Sequence, residues 1–155
     1  MTNQVIFRHT QNDDYPAIIQ AYIDVFSDEP WNDVLTEAQI TQYVTDMTEL
    51  NTFIGYLLED SDTHELLGCA LGFIKPWYQG REYMLDTLFI RQKYQGQKLG
   101  QTFISNIKTA LHHREIYTIL LDTDRGTPAE KFYLATGFKP MEEALMLYLS
   151  FPPEN

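Results

Sequence analysis

The sequence contains a single cysteine, Cys69, so it can form no internal disulfide and does not call for an oxidising compartment. The first ten residues lack the apolar run of a secretory leader. The longest apolar stretch, near residues 66–74, is far too short to span a membrane. Internal repeats and low-complexity linkers are also missing. We therefore expect one domain over residues 1–155, located in the cytoplasm and away from membranes.

Basic residues are scarce, with 11 Lys and Arg against 22 Asp and Glu and a net charge of −11. This balance argues against a nucleic-acid partner, because phosphates would be repelled. Before Lys75 there is one basic residue, Arg8, and there are thirteen acids; from Lys75 onward there are ten bases and nine acids. The split indicates either two differently solvated surfaces, or a first half that faces a cationic molecule and a second half that faces an anionic one.

Several catalytic patterns are missing as well. No G-x-S-x-G motif is present, so a serine triad of that kind is not expected. His112 and His113 are adjacent in the sequence, so on a helix their side chains would point to different faces and could not easily bind one metal ion together. We therefore expect no metal. Cys69 lies in an apolar strand, which favours a small core residue over a nucleophile.

Hydrophobic periodicity predicts an α/β fold, an α+β arrangement with a central mixed sheet flanked by helices. The strand at 83–90 is apolar on both faces, which predicts a central place in the sheet. The predicted order is β-α-α-β-β-β-α-β-α-β-β. Its strands are 5–8, 53–58, 66–74, 83–90, 117–122, 138–141 and 144–151. Its helices run from Asp13 or Asp14 to about Phe26, from the Thr36/Gln39 capping box through Met47, from about Gly100 to about His113, and from Pro128 to Gly137.

The segment from Leu88 to Gln101, LFIRQKYQGQKLGQ, reads as a strand, a glycine-containing turn and a helix. The first amides of a helix have no intrahelical acceptors and carry the positive end of its dipole, so a pyrophosphate fits there. Gly96 and Gly100 permit close approach of a ligand, and Arg91, Lys93 and Lys98 add positive charge. The alternative is an ordinary β-to-α turn. The segment is neither G-x-G-x-x-G nor a P-loop, since no Gly-Lys-Ser/Thr follows.

Gln95 to Gly100 resembles motif A of the GNAT acetyltransferases, Q/R-x-x-G-x-G/A, with Lys98 in place of the middle glycine. The run from Pro128 to Phe138 resembles the family's C-terminal motif, a helix ending in F-Y-x-x-x-G-F. Tyr133 holds the tyrosine position of that motif, and Gly126 stands where a polar residue, often Asn, is common. The two resemblances have the family's order and separation, so the chain resembles this family over essentially its whole length.

The resemblance implies a GNAT fold, acetyl-CoA as co-substrate and direct attack of a primary amine on the thioester, without an enzyme nucleophile. It implies that Tyr133 protonates the departing thiolate. The backbone of Leu88, Phe89 and Ile90 would bind the pantetheine arm, and the pyrophosphate would be held by Gln95, Gly96, Gln97, Lys98, Leu99, Gly100 and Gln101.

Asp86 is a further candidate, because a carboxylate sharing an apolar strand face with Met84, Leu88 and Ile90 is costly unless it is paired or belongs to a site. It either forms an ion pair, with Arg81 or Arg8, or serves an acceptor site by orienting the amine or taking its proton. Some aminoglycoside 6'-N-acetyltransferases are similar in having an Asp at this place, and a second Asp that resembles Asp124.

Trp31 and Trp77 either wall an acceptor pocket or cover the core. The acceptor we expect is a small cationic amine. Two rival functions stay open: a non-catalytic acyl-CoA-binding or regulatory module on the same fold, and a protein N-terminal or lysine acetyltransferase. The assembly stays open between a monomer and a homodimer.

Overall fold

A computed structural model describes residues 4–154 of the chain. The chain divides into two compact units, Met1–Thr123 and Asp124–Asn155. No helix within the described residues is long and apolar enough to cross a membrane. The described part of the first unit contains β1 (Val5–His9), α1 (Tyr15–Phe26), α2 (Glu37–Thr48), β2 (Phe53–Asp60), β3 (Leu66–Trp77), β4 (Gly80–Ile90), α3 (Leu99–His112) and β5 (Ile119–Leu120), and the second contains α4 (Pro128–Ala135).

The five strands form one mixed sheet in the order β1-β2-β3-β4-β5, which confirms the predicted fold class. Neighbouring strands from β1 to β4 are antiparallel, and β5 runs parallel to β4. Helices α1 and α2 cover one face, where Ile18 and Val44 join a buried cluster with Leu71. Helix α3 covers the other face, where the Phe103 ring meets the edge of Phe7 at a centroid distance of 6.0 Å.

The predicted capping box of α2 is confirmed. The Gln39 amide donates to the Thr36 hydroxyl at 3.1 Å, and the Thr36 amide donates to the Gln39 side chain at 2.9 Å. Asp14, in contrast, does not cap α1 with its side chain. Its carboxylate accepts from the Gln11 amide at 2.7 Å and from two nitrogens of Arg8 at 2.8 Å, because a guanidinium is the better partner for a carboxylate.

Strand β4 contains one residue more than β3 at a single point. Leu71 lies opposite Thr87, and the next residue of β3, Gly72, lies opposite Leu85, so Asp86 is an extra residue, a β-bulge. Successive side chains of a strand point to opposite faces of the sheet. After one extra residue, each later side chain therefore points to the face opposite to the one that regular alternation would give it.

The exchange of faces is visible in the neighbours of β4. Before the bulge, the Tyr83 ring stands 6.1 Å from the Tyr56 ring, which stacks on Phe7 on the α3 side of the sheet. After it, Phe89 packs against Tyr22 of α1 at 6.3 Å. The strand therefore supplies core side chains to both layers of helices.

The last two strands of the predicted order do not form, which corrects the prediction for residues 138–141 and 144–151. The part of the chain described after α4, residues 136–154, contains no helix or strand. The apolar side chains between Leu145 and Leu149 are 77–85% exposed apart from Tyr148, at 93%. A strand exists only when a neighbour accepts its backbone hydrogen bonds, and no strand of the described chain pairs with this segment. For the same reason the predicted strand 117–122 is reduced to the two residues that pair with β4.

Arg8 holds two carboxylates, those of Asp14 and Glu59, and this contact should make the stability of the fold depend on pH. Arg8 links β1 to Asp14 and also donates from Nε to Glu59 of β2 at 3.1 Å. The Arg8 hydrogen bonds, and to a smaller extent the Gln11 amide bond, hold the pKa of Asp14 below its usual range. A carboxyl whose pKa is lowered by folding stabilises the fold above its unfolded pKa of about 3.9, and this contribution disappears as the pH falls through the lower folded value.

We expect Asp14→Asn to lower the free energy of unfolding at neutral pH by about 1 kcal/mol, because partial solvent exposure screens the pair. The difference from the wild type should shrink steadily in acid. Urea unfolding followed at several pH values measures both effects, with Asp13→Asn, at an exposed neighbour, as the control. A loss that is the same at acidic and neutral pH would contradict the account.

Candidate active site

One edge of β4 is mostly open. β5 pairs with β4 only at Tyr83 and Met84. Between residues 85 and 90, no strand of the described chain pairs along that edge. Unpaired amides and carbonyls on a strand edge can bind an extended, amide-containing ligand as a further strand would. Phe89 is 4% exposed and its ring packs in the core against Tyr22, so its side chain is not available to a ligand.

The segment that follows β4 has the predicted form of a turn and then a helix. A short 3-10 turn, Gln92–Tyr94, leads into α3, which begins at Leu99. The Gln95 side chain donates to the Ile90 carbonyl at 2.9 Å and ties the turn to the end of β4. Residues 95–98 are exposed, so the first amides of α3 lie at the surface beside a polar loop.

Lys98 stands at the position where the motif that this segment resembles has its middle glycine, and its backbone conformation is one that favours glycine. Lys98 is the N-cap residue of α3 and adopts φ 61° and ψ 18°, the left-handed conformation. A residue with a Cβ atom is strained in this region by about 1–2 kcal/mol, whereas glycine is not. Lys98 therefore adopts at the start of α3 a backbone conformation that glycine would adopt without this strain.

The positive charges predicted beside this loop are partly neutralised by Glu65, a residue that the sequence analysis missed. Its carboxylate lies 2.5 Å from the Lys93 ammonium and 3.7 Å from Arg91, and it accepts a hydrogen bond from Tyr94. The Lys93 and Tyr94 hydrogen bonds hold the pKa of Glu65 below its usual range. Among the described residues, no ion pair involves Lys98.

Asp86 is exposed, and neither predicted ion pair forms. Arg8 is bound by Asp14 and Glu59, and Arg81 donates to the carbonyl of Arg114 at 3.0 Å. Among the described residues, the hydrogen-bond partner of the Asp86 carboxylate is instead Tyr43 of α2.

The Tyr43 hydroxyl lies 2.5 Å from Asp86 Oδ2 and 2.5 Å from the Thr87 hydroxyl. The expectation that Asp86 shares a face with Leu88 and Ile90 is wrong, because the bulge shifts the alternation and brings Asp86 to the α2 side. Tyr43 lies in α2 among the apolar residues Ile40, Val44 and Met47, so helical periodicity carries no signal for a functional hydroxyl there.

Aromatic side chains line the same layer as Asp86. Tyr22 stands 5.7 Å from Tyr43 and 4.6 Å from Phe26 between ring centroids. Trp31 meets the edge of Phe26 at 5.1 Å and packs against the buried cluster, so it covers the core. Burial raises the pKa of Tyr22, with smaller contributions from the charges of Asp86 and Asp33. Tyr22 thus lies within the field of two carboxylates.

The structure does not bring Trp77 to Asp86. Trp77 pairs with Gly80 at the tip of the β3–β4 hairpin, where it is 50% exposed and lies 4.8 Å under the Lys75 ammonium. Gly80 and Asp86 are separated along β4 by roughly 20 Å at the usual rise of a strand. Trp77 therefore contributes to the hairpin tip and not to the surroundings of Asp86.

In the second unit, Tyr133 lies on α4, which begins at Pro128 and is followed by Gly137 as predicted. The Thr127 hydroxyl accepts from the Glu130 amide at 3.3 Å. Gly137, at φ 106°, ends the helix with a Schellman pair of backbone bonds, from Gly137 to Leu134 and from Phe138 to Tyr133. Burial raises the pKa of Tyr133 to about 12, so its hydroxyl keeps its proton at neutral pH.

Asp124 begins the second unit and is exposed. Its carbonyl accepts from the Thr127 hydroxyl at 2.8 Å, which fixes the turn before α4. Cys69, in the first unit, is fully buried, and desolvation raises the pKa of its thiol far above the usual range. It is a core residue, as predicted, and does not act as a nucleophile.

The sequence pattern of the acetyltransferase (GNAT) family matches residues 8–138, so the chain belongs to the GNAT acetyltransferases. This family uses acetyl-CoA. No curated protein sequence matches the chain.

Solved structures share the fold at low sequence identity. One is a transcriptional regulator from Bacillus halodurans C-125, 18% identical, with a TM-score of 0.73 and coverage of 94% of this chain and 100% of that one. Another is the aminoglycoside acetyltransferase meta-AAC0020 from an uncultured soil metagenomic sample, in complex with sisomicin, 13% identical, with a TM-score of 0.73 and coverage of 96% and 97%. A third is the aminoglycoside N-acetyltransferase AAC(6')-Iy in complex with CoA, 12% identical, with a TM-score of 0.74 and coverage of 97% of both chains.

The left-handed backbone of Lys98 predicts a difference between two substitutions that both remove its charge. Lys98→Gly should raise the free energy of unfolding by up to about 1 kcal/mol, because relief of the steric strain exceeds the added entropy of glycine in the unfolded chain. Lys98→Ala retains the Cβ atom and should bring no such gain. Urea denaturation of the two variants and the wild type measures the difference, and equal stability of the glycine and alanine variants would contradict it.

Proposed function

We propose that this chain is an acetyl-CoA-dependent N-acetyltransferase that acetylates a primary amine of a small cationic molecule. The observation that carries the proposal is the open edge of β4 after Met84, which adjoins the exposed carboxylate of Asp86 at the bulge. A place for an extended acyl carrier and a place for an ammonium group thus lie on the same strand.

The residues after Leu85 fit the co-substrate. A pantetheine arm carries two amides, and the unpaired backbone groups of β4 can form hydrogen bonds with them. Backbone amides at the same edge can polarise the thioester carbonyl. The first amides of α3, from Leu99 to Gln101, are available to the pyrophosphate.

In the proposed reaction, the amine nitrogen forms a bond to the acetyl carbon while the carbon–sulfur bond breaks. Asp86 orients the amine and receives its proton, directly or through a water molecule. Tyr133 supplies a proton to the departing thiolate. The role of Tyr133 rests on its place in the F-Y-x-x-x-G-F motif and on a hydroxyl that stays protonated at neutral pH.

The proposal of a cationic acceptor rests on charge. Thirteen acids and one base precede Lys75, and the negative charges of Asp86 and Asp33 both contribute to raising the pKa of Tyr22. Carboxylates concentrate ammonium ligands and orient them. The similar structures that are named as aminoglycoside acetyltransferases agree with this class of acceptor.

We further propose that residues 1–155 act as one domain, since the family match runs from 8 to 138 and so crosses the boundary between the two units. The rival is a non-catalytic acyl-CoA-binding or regulatory protein. A lysine side chain of a protein is also a cationic amine, so peptide acceptors belong in any substrate panel.

Removing the Tyr133 hydroxyl tests the acid role. We expect Tyr133→Phe to lower kcat by roughly 100-fold, since general acid catalysis commonly contributes this much, and to leave acetyl-CoA affinity nearly unchanged. Steady-state release of the CoA thiol measures kcat, and calorimetry measures the affinity. Because Cys69 is buried, the protein should add little thiol signal of its own. If chemistry is rate-limiting and Tyr133→Phe leaves kcat unchanged, another group must protonate the departing thiolate.

Matched amines of opposite charge test the acceptor. We expect polyamines, aminoglycosides or lysine-like amines to give a higher kcat/KM than acidic amino acids, and this preference to weaken as salt screens the carboxylates. Asp86→Asn should impair the cationic amines strongly. Asp62→Asn, at an exposed position in the turn after β2, is the control. A preference for the anionic amine, or full activity of Asp86→Asn, would count against a cationic acceptor.

A further inference from the structure

Tyr43 joins the helix layer to the bulge of β4 through two hydrogen bonds. Its hydroxyl contacts Asp86 Oδ2 and the Thr87 hydroxyl, each at 2.5 Å. Thr87 is 6% exposed, and among the described residues Tyr43 is the hydrogen-bond partner found for its hydroxyl. The contact therefore links a buried hydroxyl, a half-buried hydroxyl and an exposed carboxylate in one row.

The direction of the hydrogen bonds in this row is fixed by the number of protons. An ionised carboxylate only accepts, so the single Tyr43 proton is donated to Asp86. The Thr87 hydroxyl must then donate to the Tyr43 oxygen. Such a chain polarises each bond in the same direction, toward the carboxylate.

Two further features favour this arrangement. Burial, together with the Asp86 hydrogen bond, raises the pKa of Tyr43 well above its usual range, so the hydroxyl remains a donor. Asp86 Oδ1 has no hydrogen-bond partner in the described part of the chain. One oxygen of the carboxylate is thus held and the other is available.

We propose that Tyr43 is a positioning residue that fixes the Asp86 carboxylate through Oδ2 and leaves Oδ1 to bind the ammonium group of the acceptor. This role rests on the proposed function of Asp86. The proposal adds Tyr43 of α2 to the acceptor site. Thr87 in turn holds the Tyr43 oxygen in place by donating a hydrogen bond to it. Tyr43 does not touch the reacting atoms, so its effect must pass through Asp86.

A double-mutant cycle tests this dependence. Tyr43→Phe keeps the ring and removes the hydroxyl. We expect a fall in kcat/KM of roughly tenfold for cationic amines, mostly through KM, with unchanged acetyl-CoA affinity. In an Asp86→Ala background, Tyr43→Phe should have no further effect. Alanine is used at 86 because asparagine could still accept from Tyr43.

Two other variants test the role of Thr87 and provide a control for the loss of a tyrosine hydroxyl. Thr87→Val is nearly isosteric and removes only the donor behind Tyr43, so it should give a smaller loss of the same kind. Tyr117→Phe removes a hydroxyl at a position that is 70% exposed, and it should match the wild type.

The same cycle measured by urea unfolding gives a readout that does not depend on turnover. The stability costs of Tyr43→Phe and Asp86→Ala should be non-additive. An equal loss of kcat/KM from Tyr43→Phe in both backgrounds, or additive stability costs, would overturn the proposal. If the wild type acetylates no amine, or if Asp86→Ala is fully active, the proposed function fails instead, and the unfolding cycle still decides whether Tyr43 holds Asp86.

Discussion

The extra residue of β4 at Asp86 is the constraint on which the rest of the structure depends. It allows Tyr83 to pack toward α3 while Phe89 packs toward α1, so one strand completes both layers of the core. It also removes Asp86 from regular pairing with β3 and brings it to Tyr43 of α2. The packing of the core and the presentation of the carboxylate therefore have one cause.

Much of the first unit follows from its sequence. Apolar periodicity predicts three helices and the first four strands, and a capping box predicts the start of α2 at Thr36. The bulge is different, because β4 is apolar on both faces and a change of face leaves no mark in such a pattern. In the segment 144–151 the sequence predicts an element that the structure does not contain. Its apolar run predicts a strand, but a strand also needs a partner, and sequence periodicity does not supply one.

The candidate site divides in the same way. The loop from Gln95 to Gly100 could be predicted because a turn followed by a helix start has a local signature. Glu65 and Tyr43 could not, since each acts on residues distant in the sequence. Glu65 lies in a polar turn and contacts Lys93, whereas Tyr43 fits the apolar stripe of its helix and shows its hydroxyl only through the contact with Asp86. Long-range polar contacts of this kind depend on tertiary packing rather than on spacing.

Amide hydrogen exchange with and without acetyl-CoA tests most directly whether the open edge of β4 and the start of α3 bind the co-substrate. The account predicts slower exchange in peptides covering residues 85–90 and 99–101 when acetyl-CoA is added, because the ligand then occupies backbone groups that lack partners. Tight binding of acetyl-CoA that leaves exchange in both segments unchanged, with protection only elsewhere in the chain, would contradict it.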